Sequence, residues 1–163
     1  MFKYDWVWHK TKATGHLNAK KQPMRDKEDV LVFYSKPPTY NPQMVDGIPY
    51  KPKAGNPNES TSQTGSYGAY SNVRNHNPGT RYPKQVCKFN SVQRGSLHPT
   101  QKPVEMLRYF IRTYTNPNDI VLDATMGSGS TGEACLYEGR RFIGIELSDV
   151  YYPIAVKRLA DAM

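Results

Sequence analysis

Apolar positions cluster toward the two ends of the chain and thin out between them. Near the C-terminal end, the run Ile120-Val121-Leu122 stops at Asp123. Glycines follow at 127, 129 and 132, then a helix-compatible run over 133–138 that Gly139-Arg140-Arg141 breaks. A second apolar run, Phe142-Ile143-Gly144-Ile145, stops at Glu146. Strand, glycine loop, helix, strand, acid is the order of a parallel βαβ unit, with both acids at the carboxyl ends of adjacent strands. Upstream, Met106, Leu107, Phe110, Ile111 and Tyr114 recur at helical spacing and predict a helix over 104–114, with Pro103 in its first turn. Asn116-Pro117-Asn118-Asp119 is the turn into Ile120. Residues 151–162 predict a last helix with Ile154, Ala155, Leu159 and Ala162 inward. At the other end, residues 4–10 alternate with Trp6 and Trp8 on one face, and 29–35 reads as a buried strand. The two predict an antiparallel hairpin with a long polar connection.

The stretch 36–97 has no long apolar run. It holds 8 of the 13 prolines, 6 of the 12 glycines and 5 of the 12 tyrosines. A loop of that length is too long for an inert connection in a compact domain, so it is functional, disordered or both. Three parts of one domain are expected: a hairpin at 1–35, a loop-rich region at 36–97 and the βαβ part at 98–163.

Charge follows the same division. Of the net +8, residues 1–97 carry 15 Lys or Arg against 6 Asp or Glu, whereas 98–163 carry 7 against 8. A one-sided basic segment is the footprint expected for a polyanion, nucleic acid first. Tyrosines interleaved with Lys51, Lys53, Arg74, Arg81, Lys84 and Lys88 suit base stacking and phosphate contact. Trp8 is either a core residue or a ring that stacks on an extruded base. No apolar segment approaches a membrane span, and the first residues lack a signal-peptide core. Cys87 and Cys135 lack metal-ligand spacing, so reduced thiols in a cytoplasmic protein are expected.

The glycine unit limits the ligand. Gly127, Gly129 and Gly132 fit G-x-G-x-x-G, yet Asp123 and three more residues separate the apolar run from Gly127. No lysine is present for a phosphate loop. An acid at the end of the first strand repels a pyrophosphate but suits a cationic or zwitterionic ligand such as S-adenosylmethionine (AdoMet). Glu146 can accept both hydroxyls of a ribose. An ordinary βαβ turn without a ligand is the alternative.

Taken together, His98-Pro99-Thr100-Gln101-Lys102-Pro103, the helix after it, Ile120-Val121-Leu122-Asp123 with Gly127-Ser128-Gly129-Ser130-Thr131-Gly132, and Arg141-Phe142-Ile143-Gly144-Ile145-Glu146 resemble bacterial and phage DNA amino-methyltransferases of restriction-modification type. The likeness is to the β-arranged group, in which the catalytic motif precedes the AdoMet motifs. It is specific over 98–158 and weaker over 4–35, and 36–97 falls where that group carries its target-recognition region. The resemblance implies a partial Rossmann-like α/β methyltransferase fold, with AdoMet as cofactor and duplex DNA as partner. It implies methyl transfer to an exocyclic amine, adenine N6 favoured over cytosine N4. It places Asp123, Gly127, Gly129 and Thr131 along the cofactor, Glu146 on its ribose and Leu147 near its adenine. Thr100 and Lys102 would reach its amino-acid end, where a cation suits a carboxylate. Trp8, Lys10, Lys12, Lys20, Lys21, Arg74, Arg81 and Lys84 would face the target base and its strand. Ala124 and Thr125 depart from the family's Pro and aromatic after the first acid.

One motif is missing. The family's catalytic Asp/Asn/Ser-Pro-Pro-Tyr/Phe does not occur, and the single Pro-Pro, Pro37-Pro38, has Lys36 before it and no aromatic directly after it. No catalytic residue is therefore assigned. The strands that would carry that motif lie between the two flanks present here, so an incomplete sheet with bare apolar surface is expected. A second polypeptide, an interrupted gene or self-association would fill the gap. The isolated chain is expected to be inactive. A non-catalytic AdoMet- or DNA-binding remnant is the alternative.

Overall fold

The computed structural model describes residues 1–51, 77–92 and 95–163. They form two compact units, Met1–Gln43 with Lys84–Met163, and Met44–Pro83. In the second, β3 (Val45–Asp46) and β4 (Thr80–Arg81) pair antiparallel. Arg81 stacks on Tyr50 at 4.8 Å and donates to carbonyls of Ile48 and Thr80 and to the Asn77 side chain.

The first unit starts with β1 (Phe2–Thr14), a one-turn 3-10 helix (His16–Asn18) and β2 (Arg25–Phe33), paired antiparallel. The strands extend further than the hydrophobic pattern predicts, so the long connection narrows to residues 15–24 and the outer part of the hairpin is an exposed arm. The distal residues are polar because neither face of the arm is buried there. A strand that burial does not pattern carries no period-2 signal. β5 (Val86–Phe89) adds parallel to β1, giving the order β2-β1-β5. One face of this sheet buries Trp6 and Trp8. Trp6 meets Tyr109 and Phe110 of α1 (Val104–Tyr114) edge-on, and its indole N–H donates to the Tyr114 hydroxyl at 2.6 Å.

The βαβ unit follows as β6 (Ile120–Asp123), α2 (Ser130–Tyr137) and β7 (Arg141–Gly144), with β6 and β7 parallel, then α3 (Tyr151–Asp161). Ile111, Ala134 and Cys135 form its core with Val104, Leu107, Val121 and Phe142. Glu138 ties α1 to the end of α2, accepting from Arg108 at 2.6 Å and Arg112 at 2.7 Å. Burial alone would raise its carboxyl; the two guanidiniums outweigh that and hold it below the usual range.

The helices cover only one face of the β6–β7 pair. On the other, Ile120, Leu122, Ile143 and Ile145 are each more than half exposed. Among the described residues no strand joins β6–β7 to the β2-β1-β5 sheet. The fold is an incomplete α/β sheet with bare aliphatic surface, as the sequence leads one to expect.

Gly132 is a packing residue of α2. A Cβ there would lie 2.5 Å from Leu159 Cδ2 and 2.6 Å from Phe142 Cε1. Gly132→Ala gains about 1 kcal/mol of helix propensity but forces the Phe142 ring to shift, an overpacking cost of about 1–3 kcal/mol. Chemical denaturation is expected to show a net loss of stability; an increase would contradict this packing.

Candidate functional site

The loop between β6 and α2 is shaped by its own acids. Asp123 ends β6 and accepts the Thr131 hydroxyl at 2.7 Å and the Thr125 N–H at 3.0 Å. Glu146, two residues past β7, accepts the Gly127 N–H on one carboxylate oxygen and the Ser148 N–H on the other, both at 2.8 Å. These N–H groups, Ser148 foremost, hold its carboxyl below the ordinary value, so it is an ionised acceptor at neutral pH. Gly127 adopts φ 53°, and a Cβ there would lie 3.3 Å from the His98 ring. A side chain would therefore be strained twice over, by backbone and by contact.

The segment before α1 closes the other side. His98 packs on Tyr151 with ring centroids 4.2 Å apart, and its Nδ1 accepts the Thr100 N–H at 3.2 Å. The Ser128 hydroxyl donates to Gln101 at 3.1 Å, joining the segment to the glycine loop. Between them is a cavity of about 250 Å³, bordered by Thr100 and Lys102 on one side and Asp123, Thr125, Gly127 and Thr131 on the other. Thr100 and Asp123, 23 positions apart in sequence, thus meet at one cavity.

The other expected cofactor residues lie nearby or elsewhere. Glu146 reaches the cavity through Gly127. Leu147 is 97% exposed and open to a ligand. Gly129 is buried against Ala155 of α3, where an added Cβ would be 3.1 Å from the Ala155 backbone, so its smallness serves helix packing. His98 and Gln101, to which sequence reasoning assigned no individual role, also border the cavity. Their signal was membership of the 98–103 run, in which only Thr100 and Lys102 carried an obvious role.

The basic candidates divide sharply. Lys12, Lys20 and Lys21 are exposed on the arm, and Lys84 is exposed just before β5. None of the four forms an ion pair among the described residues. Lys10 differs: it is 8% exposed, and its ammonium lies 3.2 Å from Glu28. Trp8 is 3% exposed and its indole N–H donates to the Phe89 carbonyl at 2.9 Å, so in this arrangement it is a core ring. Arg81 is occupied within its own hairpin. Arg74 lies outside the described residues.

A DNA methylase family model, covering adenine-N6 and cytosine-N4 enzymes, matches residues 1–157. The chain belongs to the N6/N4 DNA methylase family. Within it, the DNA adenine methyltransferase YhdJ of Escherichia coli is 37% identical over 106 residues, 60% of this chain and 36% of that protein. The type II methyltransferase M.HpaI of Haemophilus parainfluenzae is 28% identical over 162 residues, 98% of this chain and 46% of that protein. The crystal structure of an M1.HpyAVI–SAM complex superposes with a TM-score of 0.62 at 30% identity, covering 97% of this chain and 62% of that one. This chain therefore spans less than half the length of either curated relative. Among the described residues no helix is long and apolar enough to cross a membrane.

Proposed function

We propose that this chain is the cofactor-binding and target-facing portion of an AdoMet-dependent DNA amino-methyltransferase, its C-terminal half, acting on adenine N6 in preference to cytosine N4. The observation that carries the reading is the cavity where 98–102 meets 123–131, floored by a glycine and bordered by a carboxylate and an ammonium. Its donor set suits AdoMet. Asp123 is an anion for a sulfonium or amino group, and Lys102 is a cation for the amino-acid carboxylate. Glu146 has its anchoring N–H bonds already made, leaving further lone pairs for a ribose diol. When bound, AdoMet supplies an electrophilic methyl group. The chain's own part is to hold that donor: Thr100 and Lys102 fix one end, Glu146 and Leu147 the other, and Gly127 keeps the floor low enough for close approach.

The acceptor side is different. The lysines of the arm, Lys12, Lys20 and Lys21, with Lys84, neutralise phosphates of duplex DNA. Nothing in the chain matches the family's amine-holding tetrapeptide, and the bare face of Ile120, Leu122, Ile143 and Ile145 favours a further segment that completes the sheet and brings that motif. A second polypeptide, another portion of a longer chain or self-association would serve. Transfer of tritiated methyl groups from AdoMet to duplex DNA tests this. The 163-residue chain alone is expected to give no turnover, and co-expression with a segment bearing Asp/Asn/Ser-Pro-Pro-Tyr/Phe is expected to restore it as N6-methyladenine. Turnover by the chain alone refutes the need for that segment.

A further inference from the structure

Glu28 joins the basic hairpin to the cofactor cavity. Its Oε2 accepts from Lys102 Nζ at 2.6 Å and its Oε1 from Lys10 Nζ at 3.2 Å. The two ammoniums lie over the Trp8 ring, 5.8 Å and 5.9 Å from its centre. The two lysines are not equivalent. Lys10 is 8% exposed and needs a carboxylate to be tolerated there, whereas Lys102 is 42% exposed and borders the cavity. Glu28 is thus fixed from behind by a buried cation and holds a half-open one in front. The cluster carries two positive charges against one negative, so a net positive charge is left facing the cavity.

We infer that Glu28, clamped by Lys10, is the positioning residue that holds the Lys102 ammonium at the cavity wall for the carboxylate of an amino-acid-bearing nucleoside. This rests on the AdoMet reading above and assigns a role to a hairpin residue 74 positions from Lys102. A lysine has four rotatable side-chain bonds, and an unpaired one loses that freedom when a ligand binds; pairing with Glu28 removes the loss beforehand. Glu28 touches no ligand and acts only through Lys102.

Calorimetry on the full 163-residue chain tests it with two ligands. S-adenosylhomocysteine carries the carboxylate; methylthioadenosine lacks the whole amino-acid end. Glu28→Gln keeps the shape and an oxygen acceptor for Lys10 but removes the charge. It is expected to weaken S-adenosylhomocysteine about tenfold, the scale of one charge-assisted hydrogen bond, and to leave methylthioadenosine unchanged. Lys102→Ala should do the same, and the double variant should lose no more than Lys102→Ala alone. Should Glu28→Gln fail to fold, Glu28→Asp, which retracts the carboxylate by one methylene, gives the same selective loss. Equal weakening of both ligands, additive losses or tighter S-adenosylhomocysteine binding overturns the assignment to Glu28. If the unaltered chain binds neither ligand, the AdoMet reading falls and takes this role with it; if it binds both and Glu28→Gln changes nothing, only the role of Glu28 is lost.

Discussion

Glu146→Ala is expected to lower AdoMet affinity by about a hundredfold or more while the chain stays folded. Two losses combine. In the proposed reading the ionised carboxylate accepts the ribose diol, and each such charge-assisted bond is worth about tenfold or more in affinity. It also anchors the Gly127 N–H and the Ser148 N–H, so its removal loosens the cavity floor itself. The sign of the pH effect follows from the direction of its shift. Its carboxyl titrates below the ordinary 4.5 because the Ser148 and Gly127 N–H groups favour the anion. The carboxylate-dependent affinity is then complete at neutral pH and is lost only as pH falls through that lowered value. Calorimetric titration of AdoMet against both forms checks this. Equal affinities would remove Glu146 from the site.

Trp6→Ala should be the most damaging single change to the fold, destabilising it by about 3–5 kcal/mol. The ring is 4% exposed and packs edge-on against Tyr109 and Phe110 of α1. Its truncation leaves a cavity between the first sheet and α1. The Tyr114 hydroxyl, which accepts from Trp6 and pairs with Tyr4 at 3.1 Å, loses one of its two partners. Burial pushes that phenol well above its usual range, and the Tyr4 bond adds to this, so it stays neutral and needs those bonds. A loss of this size is a large fraction of a domain's stability of roughly 5–15 kcal/mol. Denaturant unfolding followed by circular dichroism measures it; a loss under about 1 kcal/mol would show that the Trp6 contact does not hold the hairpin to α1.

The βαβ unit was legible because burial on one face imposes a period and because its ends are punctuated. Helix α1 begins at Val104, directly behind Pro103, and ends at Tyr114, two residues before Asn116-Pro117. The arm was not legible in full, since its outer residues are polar on both faces; only 4–10 alternates, and the apolar run 29–35, read as a buried strand, leaves Leu31 and Phe33 more than half exposed. Nor was β5: Val86-Cys87-Lys88-Phe89 is four residues whose partner, Val7-Trp8-His9-Lys10, lies almost eighty positions away. Such a pairing leaves no local signal. At the site, Asp123 and Glu146 were legible from their places just past the apolar runs, and Gly127 from the glycine cluster between those runs. The two lysines were harder. Lys10 and Lys102 look alike in sequence as free cations, and only the three-dimensional position of Glu28 shows that one is buried and both are paired. Residue type alone also assigned Trp8 between core and base stacking without deciding; its buried ring and committed N–H place it in the core here.

The most direct measurement is calorimetric titration of the unaltered chain with AdoMet and, separately, with NAD. One saturable site is expected for AdoMet and no heat of binding for NAD, because a carboxylate at the end of β6, Asp123, repels a pyrophosphate and suits a sulfonium. Binding of NAD as tight as that of AdoMet, or no binding of AdoMet at all, would contradict this.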